Sequence, residues 1–94
     1  IEQQKIISQI YNRLHVYYRH QVATPLENKD IMDYLNKSSY IANNIQDAVM
    51  QYVNYSDRGY LYYDLPLSDN NHNKTILYWE KACNIYENLS FRRM

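Results

Sequence analysis

The sequence predicts a mainly α, four-helix, bundle-like single domain, and three observations carry that expectation. Apolar residues recur three and four apart along separate stretches, the spacing that lines one face of a helix. Thr24-Pro25-Leu26-Glu27 reads as a helix start, with Thr as N-cap, Pro at the first helical position and Glu placed to complete a capping box. A length of 94 residues accommodates one buried core and no second domain.

The first helix runs from Glu2 to about His20, with Ile6, Ile7, Ile10, Leu14, Tyr17 and Tyr18 on its apolar face and Gln3, Lys5, Ser8, Arg13, His15 and Arg19 on the other. The second starts at the Thr24 cap, passes through Ile31, Tyr34 and Leu35, and ends near Asn36, which takes the left-handed conformation more easily than most residues. Ser38 or Ser39 caps the third, whose Ile41, Ile45, Ala48, Val49, Tyr52 and Val53 form the next stripe. The single glycine, in Asp57-Arg58-Gly59, marks a turn or helix end, because glycine alone takes positive φ without steric cost. The fourth helix spans about Lys74 to Ser90, capped by Asn73, with Tyr78, Trp79, Ala82, Ile85, Tyr86 and Leu89 aligned. Leu65 to Asn73, containing Pro66, is the longest expected loop and the expected mobile segment.

One alternative fold stands beside this. Tyr60-Leu61-Tyr62-Tyr63 and Thr75 to Trp79 are rich in strand formers, and a hairpin at about 60–79 would make the domain a winged helix-turn-helix. In the helical reading the core comprises Ile6, Ile10, Leu14, Leu35, Ile41, Ile45, Val49, Val53, Trp79, Ala82, Ile85 and Leu89.

Over Tyr55 to Leu89 a family resemblance is visible. Gly59 with Tyr62 or Tyr63, followed by Trp79, Ala82 and Tyr86, resembles the helical hairpin of a tetratricopeptide repeat. The spacing from Gly59 to Ala82 exceeds that repeat, Pro66 interrupts it, and no second copy occurs in the chain. The resemblance therefore implies only that Ala82 sits where two helices cross.

Composition removes several function classes. Lys and Arg number 10 and Asp and Glu number 10, a formal net charge of +0, so no whole-chain field draws the protein to nucleic acid or anionic lipid. No apolar run approaches the ~18 residues of a membrane span. The lone Cys83, beside Ala82, reads as a small core residue; it cannot form an intramolecular disulfide and no zinc spacing occurs, which together point to a reducing, intracellular setting, cytoplasmic or nuclear. His15 and His20 do not stack on one helix face, and there is no phosphate loop or serine elbow. No catalytic residue, metal, cofactor or small-molecule substrate is expected, and the chain is not expected to be an enzyme.

The tyrosines carry the functional signal. There are 12, against one Phe and one Trp, and tyrosine supplies rigid, amphipathic contact area at interfaces. Helical phase assigns Tyr17, Tyr34, Tyr52, Tyr78 and Tyr86 to the apolar stripes and leaves Tyr11, Tyr40, Tyr55, Tyr60, Tyr62 and Tyr63 for the surface. The cluster Tyr55, Tyr60, Tyr62 and Tyr63 around Gly59 is the candidate partner-binding site of a protein-protein interaction or regulatory module. The expected partner is another protein, a second copy of the chain included.

Nucleic acid is the alternative partner. Pro25 to Val53 has the outline of a helix-turn-helix, offering Asn43, Asn44 and Gln46 to base edges and Lys37 and Arg58 to phosphates. Against it, Asn36 and Lys37 follow Leu35 where such a unit buries an apolar residue, and cations are sparse on the would-be recognition helix.

Overall fold

The computed structural model describes the backbone of residues 2–93 and side chains through residue 89. Four helices follow one another: α1 (Glu2–Arg19), α2 (Lys29–Asn44), α3 (Ala48–Tyr63) and α4 (Asp69–Arg93), with a 3₁₀ turn at Pro25–Glu27 between the first two. Among the described residues there is no strand, so the hairpin at 60–79 and the winged helix built on it are not formed. Tyr60-Leu61-Tyr62-Tyr63 ends α3 and Thr75 to Trp79 lies inside α4. Strand propensity reflects fit to a pleated, half-buried surface, and here the same rings pack between helices instead.

Two helical hairpins make the fold, α1 on α2 and α3 on α4, joined where α2 meets α3. α1 packs mainly on α2 and α4 on α3, and the bundle is flattened, with extents of 39 × 27 × 17 Å. The apolar core is small: Ile31, Leu35, Ala42, Met50, Leu61 and Ala82 are buried. Of the residues expected there, Leu35 and Ala82 are buried, whereas Ile6, Ile10 and Val49 are exposed and the remainder half-buried.

The helix boundaries explain much of that difference. α2 does not end near Asn36, because Ser38 is fully buried in its middle and faces α1 rather than capping a new helix. Its N-cap is Asn28, whose side chain accepts from the Ile31 amide at 3.1 Å, while Thr24 makes no side-chain cap bond and Pro25 opens only the 3₁₀ turn. The turn comes at Ile45 to Asp47. Gln46, not Asn36, takes the left-handed conformation (φ 54°), with Asp47 N–H donating to Ala42 O and Gln46 N–H to Asn43 O, a Schellman closure. The stripe from Ile41 to Val53 thus belongs to two helices, and α3 buries Met50, Asn54, Gly59 and Leu61 rather than Val49.

Gly59 is in the interior of α3, not at a turn. The expected Leu65 to Asn73 loop contracts, since α4 already starts at Asp69, with the Ser68 hydroxyl accepting from the Asn71 amide at 3.2 Å in place of an Asn73 cap. Cys83 is exposed on α4 rather than in the core.

Asp47 fixes the start of α3: its carboxylate accepts from the Met50 amide at 3.1 Å and lies 3.7 Å from Lys5 Nζ of α1. Asp47→Ala is expected to cost about 1 kcal/mol, read as a lower urea midpoint with an unchanged slope. A midpoint equal to wild type would show that the cap carries no stability.

Candidate functional site

The α3–α4 contact is organised around one missing side chain. Gly59 is buried against the Trp79 indole, whose Nε1–H donates to the Ser56 carbonyl at 3.1 Å, and Ala82 is buried one turn along α4. Small residues at such a contact let two helices approach closely.

Tyr78 and Trp79, adjacent in sequence, fork to the two flanks of α3. Tyr78 stacks on Tyr55 and Tyr62 at centroid distances of 6.4 and 5.9 Å, with the Lys81 ammonium 5.4 Å from the Tyr55 ring centroid. Trp79 meets Tyr60 edge-on at 5.1 Å and Tyr63 at 5.4 Å. The four candidate tyrosines are therefore two pairs on opposite flanks: Tyr55 and Tyr62 are half-buried, Tyr60 and Tyr63 exposed. At the end of α3 one member of each pair, Tyr62 and Tyr63, lines a groove of about 380 Å³ with Leu65 and Leu67 of the connection and His72 and Thr75 of α4.

Trp79 and Leu67 are the members of this surface that the sequence did not single out. Trp79 was expected as core, yet its indole is only half-buried, and Leu67 stands out beside Pro66. The signal available was the Tyr78-Trp79 doublet itself, since two adjacent rings on a helix cannot point the same way.

The remaining tyrosines do not follow helical phase alone. Tyr17 and Tyr86, expected in stripes, are exposed, as are Tyr18 and Tyr40. Tyr11, Tyr34 and Tyr18 form a second stack along α1 and α2, with Lys37 Nζ 5.5 Å above the Tyr11 ring.

The helix-turn-helix outline read over Pro25 to Val53 does not have the expected bounds, since α2 runs unbroken to Asn44 and the turn falls at Ile45 to Asp47. Lys37 lies within α2 and over Tyr11, Asn43 and Asn44 end α2, Gln46 is the left-handed turn residue, and Arg58 belongs to α3. Arg58 Nη2 donates to Asn36 Oδ1 at 2.7 Å and to Ser39 Oγ at 3.3 Å, tying α3 to α2. Asn43, Asn44 and Gln46, expected along one recognition helix, fall at the end of α2 and in the turn after it.

A polar seam joins α1 to the rest. Ser8 Oγ donates to Ser38 O at 2.8 Å, Ser38 Oγ donates to Ser8 O at 2.7 Å, and Ser38 Oγ also lies 3.2 Å from Asn54 Oδ1. One turn on, Asn12 Nδ2 donates to Asp57 Oδ2 at 3.0 Å, and Arg19 Nη1 is 3.8 Å from Asp57 Oδ1. Between them sits His15, fully buried, Nδ1 at 3.1 Å from Asn12 O and Nε2 at 3.5 Å from Arg19 Nη1. Burial lowers its pKa from 6.5 to about 4, opposed by the Asp57 carboxylate and reinforced by the Arg19 guanidinium. His15 and Asp57 each have their partners within the seam, an arrangement that holds helices together.

Among the described residues, no group of three His, Cys, Asp or Glu side chains could hold a metal ion, and no helix is long and apolar enough to cross a membrane. Comparison with protein-family models, with characterised proteins and with solved structures returned no match.

Proposed function

We propose that this chain is a non-enzymatic, regulatory protein-interaction module that engages another protein through the aromatic surface of its α3–α4 hairpin. The observation behind the reading is the exposure of large apolar groups that are already braced: Tyr60 is 44%, Tyr63 62% and Leu67 92% exposed, while both rings lean on Trp79. A ring held by its neighbours loses little conformational freedom on docking, so more of its contact area appears as affinity. The groove beside Tyr63 offers a partner side chain somewhere to insert.

The test is affinity capture from cells of the source, wild type against Tyr60→Ala/Tyr63→Ala. A protein retained by wild type should bind the variant at least about 30-fold more weakly, the loss of ~2 kcal/mol typical of an anchor ring, with helicity retained and the melting temperature lowered only by the lost ring contacts with Trp79. Tyr62→Ala serves as the contrast. Because Tyr62 stacks on Tyr78, its truncation should lower the melting temperature. Capture insensitive to Tyr60→Ala/Tyr63→Ala would discard the reading.

A further inference from the structure

α1 is amphipathic in the opposite sense to a core helix. It buries Ser8, Asn12 and His15 against α2 and α3, and turns outward the stripe that apolar periodicity assigns to a core: Ile6 and Ile10 are each 51% exposed, and Ile7 and Tyr17 are exposed with them. Contiguous apolar surface of this kind marks a binding face. Its charges point to the occupant. Lys5 is paired with Asp47, its side chain 39% exposed, and Arg19 with Asp57, and the charged residues of α1 that stand out most are Glu2 and Arg13. At 3.6 residues per turn these two lie within ~20° of each other around the axis and ~16 Å apart along it, bracketing Ile6 and Ile10 on one edge of the stripe.

We propose that this face binds a second copy of the chain, α1 packing antiparallel against α1. A two-fold axis between antiparallel helices brings the same edge of both together. Ile6 of each copy then meets Ile10 of the other, and Glu2 of each meets Arg13 of the other. A parallel pair would instead set this edge of each helix against the opposite edge of the other, leaving Glu2 and Arg13 without each other as partners. A lipid surface would require a cationic border, which this edge lacks. None of Glu2, Ile6, Ile10 and Arg13 belongs to the Tyr60–Tyr63 surface, so the dimer does not depend on what that surface binds.

Sedimentation equilibrium of the full chain from about 1 to about 300 μM tests this, a range suited to an interface at the small end of specific areas. Wild type should shift with concentration from 11.5 kDa to twice that mass. Ile6→Glu/Ile10→Glu should stay monomeric throughout with unchanged helicity, because both sites face solvent in the monomer. Glu2→Arg or Arg13→Glu alone should weaken association about tenfold, through two symmetric like-charge contacts. Glu2→Arg/Arg13→Glu together should restore it. A wild type monomeric at every concentration overturns the proposal, as does a double charge swap that associates no better than either single change.

Discussion

Acidification from pH 7 to pH 4 is expected to remove about 3 kcal/mol of fold stability through His15 alone. The imidazole is 0% exposed, and burial brings its pKa from 6.5 down to about 4. The neutral tautomer carrying hydrogen on Nδ1 serves both neighbours: Nδ1–H donates to the Asn12 carbonyl, and Nε2 accepts from Arg19 Nη1. A second proton on Nε2 would face the guanidinium and lose that bond. The unfolded chain takes up the proton near pH 6.5 and the folded chain only near pH 4, so the unfolded state binds more protons in between. Stability is therefore full above about 6.5, falls as pH falls through the window, and levels below about 4. For a domain whose total stability is on the order of 5–15 kcal/mol, that is a large fraction. Urea midpoints at several pH values, compared with His15→Gln, isolate the effect from His20, His72 and the carboxylates. The variant should show a shallower dependence across the window whatever its absolute stability. Parallel curves for the two proteins would remove His15 as the cause.

Gly59→Ala is expected to destabilise the domain by about 1–3 kcal/mol, against the direction that helix propensity gives. In an open helix interior, alanine is favoured over glycine by ~1 kcal/mol. Here a Cβ at residue 59 would overlap the Trp79 indole, which is held by its hydrogen bond to the Ser56 carbonyl and flanked by Tyr60 and Tyr63. Forcing that ring aside is overpacking at a helix crossing. The melting temperature should fall by about 4–8 °C for each kcal/mol in a domain of this size. A double-mutant cycle decides the cause: in a Trp79→Ala background the same Gly59→Ala change should become neutral or stabilising. Destabilisation of equal size in both backgrounds would place the cause in the backbone of α3 instead.

The class of the fold and its helix count were legible because apolar spacing survives errors of boundary. The boundaries were not, and the reason is visible at two places. Ser38 and Ser39 carry the chemistry of an N-cap, and sequence alone does not separate a serine that caps a helix from one that bonds across to another; Ser38 does the latter. Gln46 occupies a left-handed position that composition assigns first to glycine or asparagine. Gly59 was read as a terminator because its use, a close approach by Trp79, depends on a residue distant in sequence.

The burial pattern of α1 was inverted for a related reason. A search weighted by hydrophobicity sees Ile6, Ile10 and Leu14 and passes over Ser8, Asn12, His15 and Arg19, which recur at helical spacing just as regularly. That polar periodicity was the readable sign of the seam. At the candidate site, the aromatic density of the Tyr55 to Tyr63 segment is plain in the sequence, but its division into a half-buried pair and an exposed pair depends on which way Tyr78 and Trp79 fork.

The reciprocal serine bonds between α1 and α2 act as a ruler. Greasy helix faces tolerate sliding, because one methyl group replaces another at little cost. Here a slip of one turn, ~5.4 Å, would separate Ser8 from Ser38 and Asn12 from Asp57 together and leave His15 without Arg19. α1 therefore has a single seated position, and between that and detachment no graded series of intermediate registers is open to it.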